Sequence, residues 1–162
     1  MRWIALSCVL LGSACLAQDP LDGLHRVALD DCGVVGRQPR RISGQDWTYP
    51  ADAVAVAKVP ADSPLRTVAF GESVVYRYQG LTAGATYRLR LRFLSDSAER
   101  RQRVRLDGQT VIDNLALPDD EPLVRVLDIP AAAVARGSFE LTIDKLAGPN
   151  AVVSLLELFS TS

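Results

Sequence analysis

Cysteine is close to absent. The three present, at positions 8, 15 and 32, are divided between a leader segment and the body of the chain. If the leader is removed, Cys32 stands alone and no internal disulfide can form, even in an oxidising compartment. The fold must then rest on its core, and Cys32 reads as a small buried apolar side chain rather than a reactive thiol. Histidine is scarcer still, with His25 the single example. One histidine cannot make a histidine-rich metal site, and neither a Ser-His-Asp order nor a glycine-rich phosphate loop is present. A basic excess is also missing, since 18 Lys and Arg face 19 Asp and Glu. That balance argues against a nucleic-acid partner and against a polybasic membrane-surface segment. Of the 18 basic residues 16 are arginine, a bias that codon composition alone can produce.

Long apolar runs are lacking too. Trp3 to Leu11 is too short to span a bilayer. It follows Arg2 and precedes Cys15-Leu16-Ala17, which places small residues three and one before a cleavage point. Residues 1–17 therefore read as a secretory signal peptide, with Gln18 the first mature residue and no membrane insertion after its removal. The expected location is secreted or periplasmic. The alternative is a lipoprotein anchored at Cys15, although Gly12 stands where a large aliphatic residue is usual. Residues 18–26 form a lead-in and 27–159 a single domain, without repeats, low-complexity tracts or a linker long enough for a second domain.

What is present is alternation. Thr86 to Leu94 reads T-Y-R-L-R-L-R-F-L. Tyr87, Leu89, Leu91 and Phe93 fall on one side of a strand, and Arg88, Arg90 and Arg92 on the other. Further strands are predicted at His25–Asp30, Ala53–Val59, Thr67–Phe70, Ser73–Gln79, Gln102–Leu106, Thr110–Asp113, Leu123–Ile129, Ser138–Asp144 and Val152–Phe159. Asp107-Gly108 forms a primed hairpin turn. Pro130–Arg136 makes a short helix stopped by Gly137. Gly33–Gly44 and Gln45–Pro50 read as loops. Strands at this spacing predict an all-β fold, a single antiparallel β-sandwich of jelly-roll type. Val104, Leu106, Phe139, Leu141 and Ile143 should join the inward side of Tyr87–Phe93 in its core.

The arginine side needs carboxylates. Arg88, Arg90 and Arg92 are expected beside Arg103 and Arg105 if those strands pair, offset by Glu140, Asp144 and Glu157, since like charges facing one another destabilise a sheet. Such a face is either a solvated, salt-bridged exterior or a docking surface for an anionic polymer. Other acidic groups offer little chemistry. Asp30 and Asp31 are adjacent on a strand and point to opposite faces. Asp119, Asp120 and Glu121 lack the spacing of a known calcium loop, so a structural calcium ion has no support and no cofactor is expected. A glycosidase pair built from two distant carboxylates does not suit a sandwich with short loops.

The aromatic alternating strand, the Asp-Gly hairpin, Asp128-Ile129-Pro130 with its alanine turn, Gly137-Ser138-Phe139-Glu140-Leu141 and Gly148-Pro149-Asn150-Ala151-Val152-Val153-Ser154 follow in a familiar order. Together they resemble the galactose-binding-like jelly-roll group, most nearly malectin-like domains and the carbohydrate-binding modules of bacterial glycoside hydrolases. The resemblance covers about Val27 to Phe159 and implies a non-catalytic module that binds an oligosaccharide or polysaccharide through aromatic and polar residues on loops. The other function class for this sandwich is a structural or protein–protein interaction module of the cell surface with no sugar site.

Carried over by residue type and loop location, the best candidate site is Gln45–Pro50. Trp47 and Tyr49 supply aromatic faces. A pyranose can stack on Trp47 while Asp46 and Arg41 bond its hydroxyls, and Asn150 adds an amide if its turn lies at the same end. The competing arrangement has Trp47 plugging the sandwich and Asn150 only making its turn.

Overall fold

A computed structural model describes residues 18–162; the leader, with Cys8 and Cys15, lies outside the described residues. The strands are β1 (His25–Asp31), β2 (Arg41–Thr48), β3 (Thr67–Gln79), β4 (Tyr87–Phe93), β5 (Arg101–Leu106), β6 (Gln109–Ala116), β7 (Leu123–Asp128), β8 (Ser138–Ala147), β9 (Ala151–Val153) and β10 (Leu155–Ser160), with one helix, α1 (Ala131–Arg136). They form two antiparallel sheets. The smaller runs β1-β10-β4-β7, and the larger β2-β3-β8-β5-β6 with β9 against the first half of β3. The fold is the all-β antiparallel sandwich of jelly-roll type that the alternation predicts.

The core is the expected one. Tyr87, Leu89, Leu91 and Phe93 from the smaller sheet face Val104, Leu106, Phe139, Leu141 and Ile143 from the larger, and all are buried. Tyr78 stacks on Phe139 with ring centroids 4.7 Å apart. Cys32 is fully buried, and burial pushes its thiol pKa far above the usual range, which suits a packing role. The last apolar stretch divides at Ser154, where the chain passes from the larger sheet to the smaller. That residue is fully buried; its amide donates to Arg92 and its hydroxyl to Leu65, each at 2.9 Å.

Three more expectations need correction. Thr67–Phe70 and Ser73–Gln79 are one strand of 13 residues, its halves bonded to different partners. Ala53–Val59 is not a strand but a loop with one tight turn at Val54–Val56, because its carbonyls are claimed by the Arg66 side chain instead of by a neighbouring strand. β1 is a strand as expected, and within it Val27 and Leu29 face solvent while Asp30 is fully buried, after a register shift between Arg26 and Ala28. Gln45–Pro50 is mostly strand: β2 pairs with β3 as far as Thr48 and only Tyr49 and Pro50 lie beyond it. Loop chemistry at Gly44 and Pro50 misled there, since Gly44 sits at a bulge inside the strand and Pro50 follows its end.

The arginine row also divides differently. β4 and β5 belong to different sheets, so Arg103 and Arg105 do not flank Arg88, Arg90 and Arg92. The expected carboxylates do act, each on its own sheet. Asp144 pairs with Arg105 at 2.7 Å, Glu140 with Arg77 at 2.8 Å, and Glu157 with Arg90 at 2.8 Å. Partial burial pushes the Glu157 carboxyl up, but hydrogen bonds from Arg90 and Arg26 and the nearby guanidinium charges outweigh it and hold its pKa below the usual value.

Candidate functional site

A cleft of about 300 Å³ opens on the larger sheet, near its β2 edge. Its floor comes from register. Trp47 lies opposite Val68, and Phe70 opposite Val152, so these four side chains share one face of β2, β3 and β9. Val68 and Val152 are buried, while Trp47 is 50% exposed. Tyr49 continues the β2 side; it is buried, donates through its hydroxyl to the Leu94 carbonyl at 3.4 Å, and has its phenol pushed well above the usual range by burial.

The opposite wall is polar and centres on Arg100, only 2% exposed. Its guanidinium donates to Ser95 Oγ at 2.6 Å, Asp96 Oδ1 at 2.9 Å, the Asn150 carbonyl at 3.0 Å and Asn150 Oδ1 at 3.0 Å. One buried cation thus fixes a carboxylate and an amide together. Asn150 is orientated with Oδ1 on Arg100, which leaves its Nδ2 as a donor. The turn that carries Asn150 reaches this place because residue 148 is glycine: a Cβ there would lie 2.9 Å from Arg100 Cα. A half-exposed indole therefore stands across an apolar floor from an acceptor, Asp96, and a donor, Asn150.

Of the residues singled out in the sequence, Trp47, Tyr49 and Asn150 line this cleft. Asp46 and Arg41 do not. Alternation along β2 puts Asp46 on the face opposite Trp47, where it pairs with Arg41 and accepts from Gln38 at 2.6 Å. Gln38 in turn accepts from the buried Tyr76 hydroxyl at 2.7 Å, so Asp46 and Arg41 close an internal polar chain. Asp96 and Arg100 take the roles expected of them. Both lie in the polar Ser95–Arg101 segment, but nothing in the sequence marks which of the 16 arginines are buried.

Two other acidic places are accounted for. Asp120 accepts from the Lys58 amide at 2.9 Å and Glu121 pairs with the Lys58 ammonium at 3.4 Å, which ties the Val54–Val56 turn to the loop after β6. Among the described residues no group of three or more acidic, histidine or cysteine side chains is placed to hold a metal ion. A larger hollow of about 460 Å³ lies between the lead-in and the smaller sheet; its described lining, Asp19, Asp22, Arg88 and Asp128 among them, includes no aromatic.

No protein-family model and no curated protein matches the sequence. Solved structures do match in three dimensions. The ANX1 ectodomain of Arabidopsis thaliana superposes with a TM-score of 0.62 at 12% identity, over 85% of this chain and 48% of that one. The ANXUR2 extracellular domain of the same plant gives 0.61 at 14% identity, over 85% and 49%. A β-glucuronidase of Bacteroides uniformis gives 0.59 at 14% identity, over 81% of this chain and 18% of that enzyme. The chain thus spans about half the length of the plant ectodomains and less than a fifth of the glucuronidase. At these identities the likeness is one of fold: the chain shares its antiparallel β-sandwich with these domains.

Proposed function

We propose that this chain is a secreted, non-catalytic carbohydrate-binding module and that the cleft between Trp47 and Asn150 is its sugar site. The observation that carries the reading is the half-exposed indole of Trp47 facing Asp96 and Asn150 across an apolar floor. An aromatic plate takes the C–H face of a pyranose, and a paired acceptor and donor take neighbouring hydroxyls. Arg100 holds both polar groups in place before any ligand arrives, which lowers the ordering cost of binding. Asp96 is the one carboxylate among the cleft's lining residues, whereas glycoside hydrolysis commonly needs two, which supports binding without turnover. The Arabidopsis ectodomains of the same fold support an extracellular setting. Export with cleavage after Ala17 requires a mature mass that begins at Gln18; a diacylated Cys15 in the membrane fraction would replace this with the lipoprotein reading.

Fluorescence tests the site directly, because Trp47 is the only tryptophan after residue 17. A bound sugar should shift its emission in titrations with neutral and acidic oligosaccharides. Trp47→Ala should lose about 2 kcal/mol of binding, roughly thirtyfold in affinity, with its melting curve nearly unchanged. Equal binding by parent and variant would remove the site from this cleft. An absence of binding across a broad glycan array would leave the structural or protein–protein interaction module as the reading of this sandwich.

A further inference from the structure

We propose that the outer face of the smaller sheet is a second binding surface, independent of the cleft, that takes an anionic polysaccharide carrying carboxylate groups. The face is built on Glu157, in the middle of β10 and only 5% exposed at its side chain. Three guanidinium groups converge on it. Arg90 binds both carboxylate oxygens, at 2.8 and 2.9 Å; Arg26 donates to Oε1 at 3.1 Å; Arg92 Nε lies 3.2 Å from Oε2. Three cations around one carboxylate leave two positive charges in excess. Arg92 Nε is buried and makes no hydrogen bond among the described residues, so that group is incompletely served by Glu157. The side chains remain open to solvent, Arg26 at 51% and Arg92 at 34%.

Rigidity separates this cluster from an ordinary charged exterior. Arg90 is clamped in a bidentate pair and lies over the Phe159 ring, 5.0 Å from its centroid. Arg90 and Arg92 are two residues apart on one strand, which spaces them by about 6.6 Å. Further along the row, Arg88 is neutralised by Asp128 at 2.7 Å, so the excess charge is confined to Arg26, Arg90 and Arg92 around Glu157. Apolar side chains border it. Val124 lies opposite Arg92 and Leu29 opposite Glu157, both more than 40% exposed.

Planar guanidinium forks with unused N–H groups suit carboxylates, and the flanking aliphatic groups suit the C–H faces of sugar rings. Charge density separates this partner from nucleic acid. A duplex presents one charge per about 1.7 Å, far denser than two excess cations can answer. A polymer with one carboxylate per sugar is sparser and matches an open, flat face.

The test uses the full protein, polygalacturonate as the probe, and calorimetry at about 50 mM and about 500 mM salt. Arg26→Gln and Arg92→Gln leave Glu157 paired with Arg90; Arg136→Gln, on α1, removes one charge elsewhere, as either single variant does. The expected result is binding that weakens with salt, a loss of about tenfold or more in the double variant, and less than about a twofold change in Arg136→Gln. Melting curves establish that each variant is folded; should the double variant unfold, Arg26→Gln alone, at a half-exposed position, is expected to lose about threefold. No binding by the parent, or equal losses in the double variant and Arg136→Gln, would overturn the proposal. Equally tight binding of dextran sulfate or duplex DNA would overturn its assignment to a carboxylated polysaccharide. Loss of cleft binding in Trp47→Ala leaves this surface unaffected, so the two sites can fail separately.

Discussion

Gly33→Ala is expected to destabilise the protein by about 3–4 kcal/mol, against a total stability of about 5–15 kcal/mol for a domain of this kind. Two effects combine. Gly33 has φ +82°, where an L side chain costs about 1–2 kcal/mol. A Cβ there would also lie 2.4 Å from both the amide nitrogen and the carbonyl oxygen of Val68. Those are backbone atoms of β3, pinned by the pairing of Val68 with Trp47, so they cannot yield without disturbing the sheet. Overpacking of this sort costs about 1–3 kcal/mol. Gly36→Ala supplies the control: its φ is +80°, but nothing lies within 4 Å of the new carbon. Urea unfolding of the two variants should differ by about 2 kcal/mol, the contribution of the collision alone. Equal midpoints would show that the Gly33 turn can move away from β3. The collision falls on Val68, part of the cleft floor, so any sugar bound by the folded fraction should also bind more weakly.

The sandwich was legible because alternation is a local signal with a global consequence. Tyr87 to Phe93 could only be read one way, and nearly every inward residue of β4, β5 and β8 followed from a period of two. The failures came where a distant group sets a local conformation. Ala53–Val59 has strand composition, yet no strand lies beside it and an arginine side chain takes its carbonyls. The register shift in β1 turns Asp30 inward, where it accepts from the Tyr78 hydroxyl at 2.9 Å and pairs with Arg40 at 3.2 Å; nothing nearby in the sequence announces those partners.

The candidate site was half legible for the same reason. A lone tryptophan near a tyrosine, and an asparagine in a Gly-Pro-Asn turn, are visible as types. That Trp47 and Asn150 meet across one cleft depends on β9 pairing with β3, a contact between residues 80 or more positions apart. Asp46 and Arg41 looked suitable because they are close in sequence to Trp47, but closeness along a strand puts alternate residues on opposite faces. Asp96 and Arg100 were the converse case, four residues apart in a loop that only the tertiary fold turns toward the indole.

Arg66→Met should cost about 3 kcal/mol and loosen the cleft as well as the fold. Arg66 is 3% exposed, and its guanidinium meets three backbone carbonyls: Val59 at 2.9 Å, Val56 at 2.8 Å and Pro50 at 2.6 Å. Those oxygens belong to the loop after β2, which has no ladder to serve it. A hydrogen bond from a charged donor contributes about 1.5–3 kcal/mol, and each buried carbonyl left without a donor costs about 1–3 kcal/mol. Methionine fills much of the space and removes the desolvation of the charge, so the net loss is well below the sum of three bonds. Arg66→Lys keeps the charge but offers a single ammonium to three separated oxygens, and should recover less than half of the loss. The link to the cleft is direct, since the Arg66 carbonyl accepts from the Tyr49 amide at 2.9 Å. With the 50–59 loop released, Tyr49 loses its fixed place beside Trp47, and the tryptophan emission of the folded variant should move toward that of the exposed indole. Urea curves for Arg66→Met that fall within about 1 kcal/mol of the parent would mean that water replaces the guanidinium without cost, and the loop would then owe its conformation to Val56 and Val59 packing instead.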